Sequence, residues 1–450
     1  MTSERIIRAL EQATDTREVV IGSGALARTG ETLVRAFEQR SAQIVADGIT
    51  FGVAGEAVTE SLTAAGVEVT EPLVFPARPR LYASYDHVAG IVERLTADDA
   101  VPVAVGSGTL NDLVKRAAHE AGKPYMVVAT AASMDGYAAF GASLTKDGYK
   151  QTLSCPAPRA IVADLDIALD APPAMTASGY GDLLGKVTAG ADWLLADALG
   201  VEPIDELAWD LVQGPLRESI NRPAALAGRD PDAMAALIEG LIMSGVAMQA
   251  YASSRPASGS EHQFSHLWEM EGLGRDLDPP LSHGYKVGLG SVAIAALYER
   301  LLDRDLSTLD IDARRSAWPT FEQLEAQAHA AHPLLGEMAV AQLAAKHVDA
   351  DGLAERLERL SAAWPELRQR LESQLLPAAT LHAMLDDAGC PTTPQHIGLD
   401  TAAFKATYAR AQMIRSRYTV LDVAVETGLL DTTVDELFAP RGHWSSLPRP

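Results

Sequence analysis

Residues 1–165 alternate short β-rich runs with helical patterns, and the remainder of the chain carries helical patterns alone. That alternation commits the first part to a parallel sheet covered by helices, because neighbouring parallel strands must be joined by crossovers and the usual crossover is a helix. Arg17 to Ile21 reads as a strand ending in Gly22-Ser23-Gly24, with a helical pattern after it to Gln39. Ala42 to Ala46 reads as a second strand, and a third unit runs from Gly66 to Phe75 with a helix near Tyr85 to Leu95. Val101 to Val105 and Tyr125 to Val128 follow, and Arg159 to Asp164 closes the sheet. The pattern predicts an α/β N-terminal domain over 1–165, a Rossmann-like parallel sheet, and an all-α C-terminal domain over 166–450. A chain of 450 residues also exceeds what one core normally serves.

In open α/β sheets ligands bind at the carboxyl edge of the strands, so the residues there are the first functional candidates. Asp47 stands at the end of the second strand, where an acidic residue either holds a nucleotide ribose or starts a turn with Gly48; the sequence leaves both open. Gly106-Ser107-Gly108-Thr109 runs from an apolar strand into an amphipathic helix, an arrangement that lets backbone N–H groups approach a pyrophosphate. It lacks the third glycine of the dinucleotide fingerprint and the lysine of a Walker loop, and Asp112 offers a competing capping role. Thr130-Ala131-Ala132-Ser133-Met134-Asp135-Gly136 is a loop of small residues against which a ribose or substrate can lie, with Asp135 as acceptor for a polyol hydroxyl.

The helical part carries the metal candidates. His262 and His266 are four apart in an apolar-periodic run, so one helix face presents both imidazoles. His283 opens another helix after Pro279 and Pro280. Two imidazoles across a helix–loop–helix begin a divalent-metal site, and a catalytic site needs one more hard ligand. Asp182 is that candidate: it stands among Gly and Leu in SGYGDLLGK, four residues before Lys186, although most Asp–Lys pairs at that spacing are solvated. The runs 230–250 and 287–302 have the spacing of core helices. Residues 303–316 read as a charged connection. Beyond it come several helices punctuated by Pro365, Pro377, Pro391 and Pro394, and a loose end containing Pro440, Pro448 and Pro450.

The net charge of −23 excludes a nucleic-acid or anionic-membrane surface, which requires a basic face. Two cysteines, Cys155 and Cys390, form no metal or disulfide framework and suit a reducing cytoplasm. No apolar h-region opens the chain and no later run reads as a membrane span, so the expectation is a cytoplasmic protein without membrane insertion.

With these pieces aligned, the chain resembles the sn-glycerol-1-phosphate dehydrogenase family, bacterial branch, within the metal-dependent alcohol dehydrogenase, glycerol dehydrogenase and dehydroquinate synthase superfamily. The motifs are GSGTLND (106–112), TAASMDGY (130–137), APRAIVADLD (157–166), GYGDLLGKVTAGADW (179–193), SRPASGSEHQFSHLWEM (254–270) and HGYKVG (283–288). The resemblance implies a dehydroquinate synthase-like fold, NAD(H) or NADP(H), and one divalent ion held by Asp182, His262 and His283, with zinc foremost and nickel or iron as alternatives. It implies that His266 faces the substrate beside that ion and that Asp135 contacts the substrate. Gly106, Gly108, Thr109, Leu110, Asn111, Asp112, Thr130, Ala131, Ala132 and Ser133 would form the cofactor wall, and Asp47 would hold the adenosine ribose. Two positions depart from the family: Ala139 where many members have serine, and Ala132 where bacterial members often have proline. Residues 310–450 are a helical extension as in the longer bacterial members, and a homodimer is expected.

The implied reaction is NAD(P)H-dependent reduction of dihydroxyacetone phosphate to sn-glycerol 1-phosphate, with the ion polarising the C2 carbonyl and His266, or water ordered by it, relaying the proton. Arg255 and Lys286, the basic residues nearest the ligands in sequence, are the candidates for the substrate phosphate. The alternatives are a dehydrogenase of an unphosphorylated polyol such as glycerol, a dehydroquinate synthase-like lyase, and a binding protein that kept the fold.

Overall fold

The computed structural model describes residues 3–146 and 149–446. Nine strands form, β1 Glu18–Gly22, β2 Ser41–Asp47, β3 Glu68–Val69, β4 Leu73–Phe75, β5 Val101–Gly106, β6 Met126–Ala129, β7 Ala142–Lys146, β8 Tyr149–Leu153 and β9 Ala160–Asp164. Seven of them make a parallel sheet in the order β1-β9-β6-β5-β2-β3, with β4 also paired to β2. The last strand of the sheet in chain order, read from its apolar run, is inserted between β1 and β6. Its composition gives the reason: all five residues of AIVAD are buried, which suits a central strand covered on both faces. β7 and β8 form a separate antiparallel hairpin that the sequence pattern did not reveal.

The helices that matter for the site are α1 Gly108–Glu120, α2 Pro173–Leu184, α3 Lys186–Ala198, α4 Pro231–Tyr251, α5 Ser260–Met270, α6 His283–Leu302, α7 Ala350–Gln374 and α8 Thr401–Gln412. After β9 the described residues contain helices and no strand. α4 is long and apolar enough to cross a membrane by length and composition, contrary to the sequence expectation, yet most of it is buried inside the fold as a core helix. Its Asp230 caps the first turn by accepting from Ala233 N–H, and Gln249 near its end donates to Thr16 Oγ1, tying the helical part to the sheet.

Residues 303–316 are more ordered than a connection, with a helix at Ile311–Ala317. Pro365 does not punctuate but lies inside α7. An interior proline costs about 3 kcal/mol or more, and here Leu353, Leu357, Leu360, Trp364, Leu367 and Leu371 bury one continuous face that outweighs it. Pro440 precedes a short helix at His443–Ser446, while Pro448 and Pro450 lie outside the described residues.

Glycines set the distance between α2 and α6. A Cβ on Gly284 would stand 1.7 Å from Ser178 O, and one on Gly181 would stand 2.4 Å from Gly284 O. On the same helix a Cβ on Gly179 would stand 2.0 Å from Ala132 O, so α2 is also pressed against the loop after β6. Two backbones this close leave no room for a methyl group, and the crossing brings Asp182, the first residue of α6 and the sheet edge together. Gly284→Ala is expected to destabilise the protein by about 1–3 kcal/mol, read by urea denaturation, with activity falling as His283 moves. Unchanged stability would mean that the helices separate without cost.

Candidate active site

Three elements deliver the metal-ligand candidates. Asp182 comes from the last turn of α2, His262 from the first turn of α5 and His283 from the first residue of α6. Their ligand atoms all lie within 4.8 Å of one another, with His262 Nε2 3.6 Å from Asp182 Oδ1. Asp182 is fully buried and His262 nearly so, while His283 is half-buried.

The imidazoles are oriented by carboxylates that the sequence reading missed. His262 Nδ1 is 2.7 Å from Glu261 Oε1, and His283 Nδ1 is 2.9 Å from Glu269 Oε1 and 3.2 Å from Ser265 Oγ. A carboxylate can only accept from an imidazole, so in each ring Nδ1 carries a proton, and in the neutral ring that would bind an ion Nε2 presents its lone pair to the cluster. Histidines that bind metals are commonly fixed in this way by a carboxylate on the other nitrogen. The donor set of one carboxylate oxygen and two Nε2 atoms fits a divalent ion and leaves coordination positions for other ligands. The signal was present in SEHQFSHLWEM, where Glu269 is seven residues after His262 and so shares its helix face.

Asp182 joins this cluster to the edge of the sheet. Its Oδ2 accepts from the backbone N–H of Asp135 at 3.0 Å and its Oδ1 from Lys186 Nζ at 2.8 Å. Lys186 is not a solvated partner, as its spacing suggested; it is completely buried and also 2.7 Å from Asp135 Oδ2, which accepts in addition from Ser244 Oγ. Burial opposes ionisation of Asp182, but Lys186 and the two neighbouring imidazoles outweigh it and hold the carboxyl well below its ordinary range. On Lys186 burial is likewise overcome, by Asp135 and Asp182, and the ammonium is held above its ordinary value.

His266 lies beside the cluster, its ring centroid 5.7 Å from His262 and 5.8 Å from His283. Its Nδ1 accepts from the Arg415 guanidinium at 2.7 Å, which places its proton on Nε2. Burial and then the Arg415 charge push its pKa well below the usual imidazole value. His266 is therefore a neutral donor, kept so first by burial and then by the charge of an arginine 149 residues away in the chain.

The glycine-lined loops meet at the carboxyl ends of β5 and β6. Thr130 N–H donates to Gly106 O, and Gly108 lies against Met134, where a Cβ would stand 2.7 Å from Sδ. Thr109 and Ser133 are half-buried, and Ala131 and Ala132 are buried with no side chain beyond Cβ to obstruct a ligand. Three residues of the expected cofactor wall turn inward instead. Leu110 belongs to the core, Asn111 accepts from Tyr125 OH and donates to Gly136 O, and Asp112 accepts from Ser143 N–H rather than capping α1. Their side chains fasten the helix and the loop, so any wall at this point is made by Gly106, Gly108, Thr109 and the backbone. Asp47 Oδ1 accepts from Ile49 and Thr50 N–H at 2.8 Å in a capping box, the turn-forming alternative of the two open for it.

Arg255 is a correction. Its side chain has no exposed surface; NH1 donates to Tyr418 O, NH2 to Asp192 O, and Nε lies 3.2 Å from Glu202. A guanidinium fully buried among core partners offers no surface to a substrate phosphate. Lys286 is buried next to the cluster, 3.7 Å from Glu269 Oε1.

Residues 20–172 match the family model described as iron-containing alcohol dehydrogenase. Among curated relatives, the chain is similar to glycerol-1-phosphate dehydrogenase (NAD(P)+) of Halalkalibacterium halodurans, 36% identical over 266 residues, 59% of this chain and 66% of that protein. The enzyme of the same name from Bacillus velezensis is 36% identical over 289 residues, 63% of this chain and 72% of that protein. The chain belongs to the glycerol-1-phosphate dehydrogenase family. The family's fold extends to a solved glycerol dehydrogenase from Schizosaccharomyces pombe, which superposes with a TM-score of 0.59 at 16% identity over 94% of this chain and 91% of that one.

Proposed function

We propose that the protein reduces dihydroxyacetone phosphate to sn-glycerol 1-phosphate with NADH or NADPH, reversibly, using one divalent ion held by Asp182, His262 and His283. The observation that carries this reading is the Asp135 N–H to Asp182 bond, which sets the ligand cluster directly against the sheet-edge loop. A ring bound along that loop and an oxygen bound at the cluster would be neighbours. When bound, the ion supplies Lewis-acid polarisation of a carbonyl, and the nicotinamide supplies the hydride.

The chain's own residues do the rest. Glu261 and Glu269 fix the tautomers of the two imidazoles, and Lys186 balances the charge of Asp135 and Asp182. His266 offers a proton-bearing Nε2 and orders the hydroxyl or water from which the C2 oxygen takes its proton; it does not itself change charge near pH 7. Gly106, Gly108, Thr109 and Thr130 to Ser133 bound the cofactor. The reading divides the chain at residues 165 and 166 and places it in the cytoplasm, a setting supported by Cys155 and Cys390, both buried and free.

Oxidation of NADH and of NADPH with dihydroxyacetone phosphate, dihydroxyacetone and glyceraldehyde 3-phosphate tests it, before and after chelation. The expected result is chelator-sensitive turnover of dihydroxyacetone phosphate giving the sn-1 product by chiral analysis. Faster turnover of the unphosphorylated ketone would replace the reading with a polyol dehydrogenase, and cofactor that cycles without net oxidation would replace it with a lyase.

A further inference from the structure

His283 also belongs to a second group of ligand-type atoms, with His266 and Glu269, again within 4.8 Å of one another. This second group is not built for a cation. Glu269 already faces Lys150 Nζ at 3.0 Å and Lys286 Nζ at 3.7 Å, and His266 Nδ1 is taken by Arg415. A second positive ion there would meet three positive side chains.

The charges point the other way. Lys150, Lys286 and Arg415 oppose the single carboxylate of Glu269, and among the described residues Arg415 makes no ion pair within 4.0 Å. Lys286 is almost entirely buried, Lys150 mostly so and Arg415 half-buried. Three cations against one anion leave a local excess of two charges in a partly desolvated place, and a phosphate monoester carries about −1.5 to −2 at pH 7. Burial pulls the Lys286 ammonium below its ordinary value, a cost that a bound anion would offset.

We propose that Arg415, Lys150 and Lys286 form the seat for the substrate's phosphate, beside the His283 ring that the metal cluster shares. The inference rests on the phosphorylated substrate of the preceding reading and deepens it. The seat is assembled from three separate parts of the chain: Lys150 from the β7–β8 hairpin, Lys286 from α6, and Arg415 from the segment after α8. Arg415 thus makes the C-terminal helical region a contributor to the active site. Since it also donates to His266 Nδ1, the same guanidinium links the phosphate to the residue that orders the proton donor.

The test uses the metal-loaded protein and the variants Arg415→Ala and Lys150→Ala; the latter changes a residue of the β7–β8 hairpin, which lies outside the parallel sheet. A charged hydrogen bond contributes about 1.5–3 kcal/mol, so each variant should lose about 10- to 150-fold in kcat/KM for dihydroxyacetone phosphate. The loss for dihydroxyacetone should be at least about 10-fold smaller, the KM carrying most of the difference. Calorimetry with inorganic phosphate should show binding to the parent protein and weakened binding to both variants. Equal losses on the two ketones overturn the seat. Phosphate bound alike by parent and variants, or by none of them, also overturns it. A parent protein that binds phosphate through these residues yet prefers dihydroxyacetone would retain the seat and overturn the functional reading instead.

Discussion

Asp182→Asn, His262→Ala and His283→Ala are each expected to lower turnover of dihydroxyacetone phosphate on the order of a thousandfold and to strip the protein of its divalent ion. The reason is the way the donors are fixed. Asp182 is fully buried with both oxygens already oriented, and each imidazole has Nδ1 tied to a carboxylate, so the three donors are held in place independently of an ion. Removing the orienting carboxylate alone, as in Glu269→Gln, should cost less, about 10- to 100-fold in metal affinity. Elemental analysis beside steady-state kinetics separates the two effects. A fully metal-loaded Asp182→Asn protein with parental activity would show that the ion, if one is used, is held elsewhere.

What the sequence disclosed and what it hid follow a physical division. The strands were readable because a parallel sheet buried on both faces demands unbroken apolar runs, and Val101 to Gly106 and Ala160 to Asp164 are fully buried. Where β9 inserts was not readable, since strand order is a matter of crossover geometry. His262, His266 and Glu269 share one helix face by their spacing, but that Glu261 and Glu269 hold the imidazoles was not readable, because both resemble ordinary helix-surface residues until their burial is known. The burial of Lys186 was hidden for the same reason: the i, i+4 spacing to Asp182 is identical for a solvated pair and a buried one. Leu110, Asn111 and Asp112 stand in a loop-to-helix motif that suggests a ligand, yet a helix turns its side chains through all directions and these three face the core. Arg255 and Arg415 show the limit of proximity in sequence. Arg255, seven residues before His262, is consumed by the core, whereas Arg415, far along the chain, reaches the site.

Lys186→Met is expected to destabilise the protein by about 3–5 kcal/mol, because it leaves Asp135 and Asp182 facing each other without the ammonium that lies 2.7 Å from one and 2.8 Å from the other. Methionine matches the volume of the lysine stem, so the loss reports charge and not a cavity. The size of the effect should depend on the state of the site. A divalent ion at Asp182, His262 and His283 would itself neutralise part of the exposed carboxylate charge, so the loss should be larger in chelator-treated protein than in metal-loaded protein. Urea denaturation of parent and variant, each with and without chelator, gives the four free energies needed. A destabilisation of the same size in both states would separate Lys186 from the ion and remove Asp182 from the ligand set. A smaller loss with the ion present would tie the ammonium, the carboxylates and the ion into one balance of charge, in which the lysine keeps Asp182 ionised and in place until the ion arrives.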